Sequence, residues 1–199
     1  MRLIGLLDSP YVRRVAITAR LLGLPLEHEP ISVFRGYEAF AAINPVVKAP
    51  TLVTDGGVAL MDSGLIIEHL ERVAGRSLGP NDLAAHARAQ RILGLALASA
   101  EKTVQLVYEF NLRPEDKRHD PWIERVRGQL AHAWRLLEAE LAAPPEGFEG
   151  SQAWLTGAVA WTFARRTLPD SIEAASHPRL TALADEAEAT EAFLACPFD

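Results

Sequence analysis

Cysteine occurs once in the 199 residues, at Cys196, which excludes an internal disulfide framework and the cysteine-rich kinds of structural zinc site. A basic excess is also missing: 20 Lys and Arg stand against 26 Asp and Glu, a net charge of -6. Proteins that grip nucleic acid gather cations into a dominant patch, so DNA and RNA are not expected partners. Long apolar runs are lacking as well. Leu3 to Leu7, directly before Asp8, is too short for the apolar region of a secretory signal. The longest uncharged stretch, Gly150 to Ala164, falls short of the roughly 20 residues of a membrane span and contains Ser151, Gln152, Thr156 and Thr162. It reads as a buried core helix, and the chain as cytoplasmic, without membrane attachment. The histidines His28, His69, His86, His119, His132 and His177 have no paired ligand spacing, so no metal site is expected.

The residues that are present fall into two halves. Residues 1–80 hold 8 alanines and residues 81–199 hold 24, and the change coincides with Gly75-Arg76-Ser77-Leu78-Gly79-Pro80, a linker composition. In the first half Leu3 to Leu7 reads as a strand. Ser9-Pro10 then supplies a capping hydroxyl and a first-turn proline for a helix over 10–22, and Gly23 stops it. Leu26 to Ser32 reads as a second strand, parallel to the first because a helix crosses between them. Gly36 to Ile43 forms one or two helical turns. Thr51 to Thr54 and Val58 to Met61 form a hairpin around Asp55-Gly56-Gly57. Asp62-Ser63 opens a helix with Leu65, Ile66, Leu70 and Val73 on its apolar stripe and Gly75 as its end.

The second half reads as helices only. The first runs from Asp82 to about Phe110, with Leu83, Ala87, Ile92 and Leu95 facing inward. A charged loop, Arg113 to Asp120, leads to a helix over 122–142 that ends at Pro144-Pro145. Gly150 to Arg166 is apolar nearly all round, as a central helix is, and Pro178 to Leu194 closes the set.

Three segments in this order make a family recognisable: Ser9-Pro10-Tyr11-Val12-Arg13, Asn44-Pro45-Val46-Val47-Lys48-Ala49-Pro50, and Asp62-Ser63. Gly79-Pro80-Asn81-Asp82 and His177-Pro178-Arg179-Leu180 extend the likeness over essentially the whole chain. The sequence resembles a bacterial cytosolic glutathione transferase. That resemblance implies an α/β thioredoxin-like, glutathione-binding domain over 1–76, an all-α domain over 82–199, and a homodimer. The chain departs from the family pattern at Val47, where many members have Gly. At the start of the central helix of the second domain, Glu149 and Gln152 take the places of a Ser or Thr cap and an Asp, with Gln152 as the partner in a capping box.

Glutathione presents an ammonium and a carboxylate, a peptide-like middle and a thiol, so its site needs three stations. Asp62 suits the ammonium, while the Ser63 hydroxyl and the free amides of the helix start suit the carboxylate. The same two residues are ordinary helix caps. The resemblance implies that Ala49 pairs its backbone with the cysteinyl unit ahead of a cis Pro50, and that Lys48 reaches a carboxylate. Ser9 is the candidate for the thiol. A free thiol is only about 3% ionised at pH 7, and lowering its pKa by about two units makes it mostly thiolate. Ser9 also suits a simple capping role, and Tyr11 is the competing hydroxyl. Tyr11, Phe34 and Tyr108 are candidates for lining a second-substrate pocket.

The function implied is transfer of the glutathione thiolate to an electrophilic, apolar substrate, with glutathione as co-substrate and no other cofactor. Peroxidase, disulfide reductase and dehalogenase chemistry belong to the same class. The alternative is a non-catalytic binding or regulatory protein that keeps the fold, of the stringent starvation protein A type.

Overall fold

Leu3 and Ile4 are completely buried in the first strand, β1 (Arg2–Ile4), which ends earlier than its apolar run. The reason lies at Gly5. Its backbone φ is 137°, and a Cβ there would come within 2.6 Å of Val12 Cγ2 and 3.2 Å of Ala49 Cβ. The chain therefore leaves the sheet pressed against the next helix, α1 (Pro10–Leu22), whose limits match the Pro10 and Gly23 signals. Gly23, at φ 72°, adopts the left-handed conformation that closes a helix at no side-chain cost.

Strand β2 (Glu27–Glu29) pairs parallel to β1, and β3 (Thr51–Val53) pairs antiparallel to β1 on the other side. The hairpin is completed by β4 (Ala59–Met61), so the strand order is β2-β1-β3-β4. Helix α2 (Tyr37–Ile43) precedes β3, and α3 (Ser63–Ala74) follows β4. Each strand is shorter than the segment expected from the sequence, and β2, Glu27-His28-Glu29, contains no apolar residue, because pairing rather than hydrophobicity sets its limits. The inward face of α3 differs from the expected stripe. Ser63, Ile66, Ile67 and Leu70 are buried, whereas Leu65 and Val73 are 62% and 52% exposed. Five large apolar positions, Leu65, Ile66, Ile67, Leu70 and Val73, were available on nearly adjacent faces, and packing against α1 selected among them.

This computed structural model describes residues 1–198, so Asp199, the last position of the expected helical domain, lies outside them. The chain divides into two compact units, Met1–Leu78 with the residues from Ala189 onward, and Gly79–Glu188. The second unit contains α4 (Leu83–Asn111), α5 (Asp120–Glu140), α6 (Gln152–Thr167) and α7 (Pro178–Glu188). A 3-10 turn, Glu115–Lys117, interrupts the charged loop before α5. The inward face of α4 is Ala89, Ile92, Ala96, Ser99, Ala100, Thr103 and Leu106, not the expected Leu83, which is 80% exposed. Small residues dominate that face because α4 packs closely on both α5 and α6.

Helix α6 is the core of this unit. Trp161 is fully buried and meets Trp134 edge-on, with ring centroids 5.0 Å apart. Its cap is Ser151, whose hydroxyl accepts from Trp154 N at 3.3 Å. The expected Glu149 and Gln152 box is therefore displaced: Gln152 is the first helical residue and Glu149 lies outside the helix. Helix α7 starts on the buried Glu138 of α5, whose carboxylate accepts from Arg179 N and Leu180 N at 3.0 and 2.9 Å.

The expected last helix breaks after Glu188, and the short α8 (Glu191–Leu194) packs on α1 in the first unit. Arg13, buried in α1, donates from Nε to Cys196 O at 2.8 Å and lies over the Phe193 ring. Among the described residues, no helix is long and apolar enough to cross a membrane, and no cluster of three potential metal ligands exists.

Candidate functional site

Strand register brings the expected stations to one end of the sheet. Ile4, the last residue of β1, pairs with Thr51, the first of β3, and Thr51 in turn pairs with Met61, the last of β4. The chain leaving β1 toward Ser9, the Ala49-Pro50 segment entering β3 and the Asp62-Ser63 segment leaving β4 thus share that edge. The Gly5 contacts reinforce the arrangement, because Val12 and Ala49 both crowd the face of Gly5 where a side chain would sit.

Ser9 caps α1, with its Oγ accepting from Val12 N at 3.4 Å. That bond is long, and it uses only acceptor capacity. Since a hydroxyl carries one donor and two acceptor lone pairs, the Ser9 hydrogen donates to no described residue and can serve a thiolate. Capping and thiol binding are compatible in this geometry. Tyr11, in the next turn position, is half-buried and makes interactions of its own.

The segment before β3 is held by Asn44, which the sequence reading treated only as part of a motif. Buried Asn44 donates to Thr51 Oγ1 at 2.8 Å and accepts from Val46 N at 3.1 Å, while Thr51 Oγ1 donates to Lys48 O at 2.8 Å. Within this braced loop Val47 takes φ 51°, a left-handed backbone that β-branched residues rarely adopt. The Ala49-Pro50 bond is cis. Lys48 is exposed, with no ion pair to another described residue.

Asp62 caps α3 through Oδ1, which accepts from Gly64 N at 2.9 Å and Leu65 N at 3.4 Å. Its φ of 74° with ψ of 122° is sparsely populated for any side-chain-bearing residue, a conformation that costs of order 1–3 kcal/mol. It leaves the Asp62 carboxylate exposed at the helix start, while Ser63 is buried behind it. The Ser63 Oγ accepts from Arg14 at 3.0 Å. Burial lowers the Arg14 pKa to about 10, opposed by the nearby Asp62, Tyr11 and Glu71, so the guanidinium stays charged at neutral pH. Arg14 was absent from the expected site. Its signal was an arginine pair, Arg13-Arg14, between apolar Val12 and Val15 near the start of α1.

Of the remaining candidates, Phe34 lies exposed in the turn before α2 and Tyr108 lies exposed near the end of α4, in the second unit. A groove of about 710 Å³ in the second unit, bordered by Leu106, Trp134 and Ile172, includes none of the expected site residues.

Residues 3–78 match the family described as glutathione S-transferase, N-terminal domain. The GST-like protein YibF of Escherichia coli (strain K12) is 28% identical over 142 residues, which span 71% of this chain and 70% of that protein. A glutathione transferase family member from Pseudomonas fluorescens Pf-5, solved with bound glutathione, is 27% identical, with 98% of this chain and 97% of that one covered at a TM-score of 0.83. The glutathione S-transferase of Methylobacterium radiotolerans JCM 2831, solved in complex with glutathione sulfonate, is 25% identical, covering 100% of this chain and 95% of that one at a TM-score of 0.88. The N-terminal domain signature over residues 3–78, and a fold shared along nearly the full length with glutathione-bound proteins, lead to one conclusion: the chain has the glutathione transferase fold, and its first unit is similar to the glutathione-transferase N-terminal domain.

Proposed function

We propose that the protein is a glutathione transferase that binds glutathione on its first unit and passes the thiolate to an electrophilic carbon of an apolar substrate. The observation that carries this reading is the convergence at one sheet edge of a hydroxyl with an uncommitted hydrogen, a loop ending in a cis proline, and a helix start that offers a carboxylate.

In this reading Asp62 pairs with the γ-glutamyl ammonium, and Ser63 with the amides of the α3 start receives the α-carboxylate. Ala49 meets the cysteinyl backbone, Lys48 reaches a carboxylate of the tripeptide, and Ser9 donates to the sulfur. A hydroxyl donor together with the positive end of α1 favours the thiolate over the thiol. Holding the thiolate beside the electrophile replaces an encounter in solution with a positioned reaction. The carbon–sulfur bond forms as the leaving group departs with its electron pair, or as the electrophile's π bond takes up the pair and then a proton. Tyr11 and Phe34 border the second substrate on the side of the first unit. The protein acts in the cytoplasm as a homodimer. Light scattering at micromolar concentration tests the dimer, and the mass of a single chain would overturn it.

A non-catalytic regulator of the same fold is the second reading. Retention of Ser9, Ala49-Pro50 and Asp62-Ser63 together favours the enzyme, because a purely regulatory chain has no need of all three. Calorimetric titration with glutathione, followed by a panel of electrophiles, separates the two. Binding with turnover is expected; binding without turnover on every electrophile would favour the regulator, and no binding would remove both glutathione roles.

A further inference from the structure

We infer that Arg14 is a positioning residue for the carboxylate end of glutathione: its guanidinium, buried beneath the first turn of α3, orients the Ser63 hydroxyl so that its hydrogen points to the γ-glutamyl α-carboxylate. This inference rests on the proposed glutathione role of Ser63.

Three observations carry it. First, Arg14 is 3% exposed and donates from a terminal guanidinium nitrogen to Ser63 Oγ at 3.0 Å, a bond between helices 49 residues apart in sequence. Second, Ser63 is itself 6% exposed, and its hydroxyl hydrogen donates to no described residue. Arg14 can only donate, so it occupies a lone pair of Oγ and leaves the single O–H donor for something outside the fold. A buried donor left unmade costs stability, commonly about 1–3 kcal/mol, so a hydroxyl kept in this state is explained by a ligand that completes it. Third, Ser63 is the first residue of a twelve-residue helix, where free backbone amides point the same way and already favour an anion.

The charge of Arg14 acts in the same direction as its geometry. A guanidinium behind the hydroxyl polarises the O–H toward an anion in front of it, and in a water-poor setting that effect is screened less than at the surface. Asp62 interacts electrostatically with the same cation, so one arginine acts on both groups of the γ-glutamyl station. It balances the carboxylate that meets the ligand's ammonium, and it supports the hydroxyl that meets the ligand's carboxylate. Its neighbour Arg13 is committed elsewhere, to Cys196 O and Phe193.

The test uses two ligands that differ only in the group concerned: glutathione, and 4-aminobutyryl-cysteinylglycine, which lacks the γ-glutamyl α-carboxylate. Dissociation constants are measured calorimetrically for the full chain and for Arg14→Met and Arg14→Lys. In the natural chain glutathione is expected to bind at least tenfold more tightly than the analogue. Arg14→Met is expected to weaken glutathione about tenfold while leaving the analogue nearly unchanged, and Arg14→Lys to restore part of the difference. A residue that merely holds the fold would weaken both ligands alike, and that result would overturn the inference, as would an unchanged glutathione affinity. If Arg14→Met does not fold, Arg14→Lys carries the same two-ligand comparison, with a smaller loss confined to glutathione expected and an equal loss for both ligands overturning the inference. Failure of the natural chain to bind glutathione at all would instead overturn the proposed function, and the inference with it.

Discussion

Helices α3 and α6 begin with the same local chemistry and do opposite things with it. At α6 the Ser151 hydroxyl accepts from Trp154 N in a site that is 2% exposed, with an extended backbone typical of a cap. At α3 the Asp62 carboxylate accepts from Gly64 N and Leu65 N, but it is exposed and its backbone sits at positive φ. The residue after each cap is buried. Gln152 enters the helical core, whereas Ser63 keeps a hydroxyl hydrogen uncommitted at the edge of the sheet. The α6 cap is buried and relaxed, whereas the α3 cap is exposed and strained and presents its polar atoms outward.

Substitutions at four positions sharpen or break this comparison. The largest effect is expected for Asp62→Asn, which keeps size and capping ability but loses the charge facing the ligand's ammonium. A charge-assisted hydrogen bond contributes about 1.5–3 kcal/mol, so glutathione affinity should fall by roughly ten- to hundredfold with little change in melting temperature. An unchanged dissociation constant would make the α3 start a structural cap like that of α6.

Ser9 comes next, since it caps α1 through a long bond and has a hydrogen to give. Removing it as Ser9→Ala should lower turnover about ten- to hundredfold if the hydroxyl contributes about 1.4–2.7 kcal/mol to the thiolate. Ser9→Gly retains most of the capping and should lose activity equally, with the absorbance of bound thiolate titrating at higher pH in both variants. An active glycine variant would assign Ser9 to capping alone.

Ser151→Ala provides the contrast. It should cost about 1 kcal/mol of stability, or about 2–4 °C in Tm for a chain of this size, and leave glutathione affinity as it was. A change in affinity on that substitution would break the division drawn between the two helix starts.

The smallest effect is expected at Val47, whose left-handed backbone costs roughly 1–2 kcal/mol. Glycine removes that cost and adds about 0.5–1 kcal/mol of chain entropy to the unfolded state. Val47→Gly should therefore raise stability by up to about 1 kcal/mol in thermal or urea unfolding. A loss of stability would mean that packing by the valine outweighs its backbone.

Arg14 adds no pH dependence to these measurements in the ordinary range. Burial holds its folded pKa to about 10, below the ordinary value that it keeps in the unfolded chain. The group is charged in both states below pH 10, and stability linked to it rises only as pH climbs between the two values.

Element boundaries were legible where a local signal marks them. Pro10 and Gly23 bracket α1, and Gly75 closes α3. Helix faces were less legible, as Leu65 and Leu83 show: both fit an apolar stripe, and both are exposed. An apolar periodicity defines a band wider than the contact a neighbouring helix makes, and only the neighbour selects within it. The cap of α6 was misplaced by two residues. Ser151 is a favoured capping type and Glu149 is not, and the turn from Phe148 through Gly150, with Gly150 at φ 72°, places the serine at the helix start.

By itself the sequence determined the order of strands and helices, the turn and cap residues that separate them, and the three segments proposed as the glutathione stations. These depend on interactions within three or four residues, which travel with the chain wherever it goes. Only the tertiary structure decided that Ile4, Thr51 and Met61 lie in one register, that Gly5 admits Val12 and Ala49 against its backbone, and that Arg14 supports Ser63 across 49 residues. Those contacts have no local period and no spacing rule. They exist because burying the faces of α1 and α3 against each other leaves one arginine and one serine in the same dry space, where each must satisfy the other.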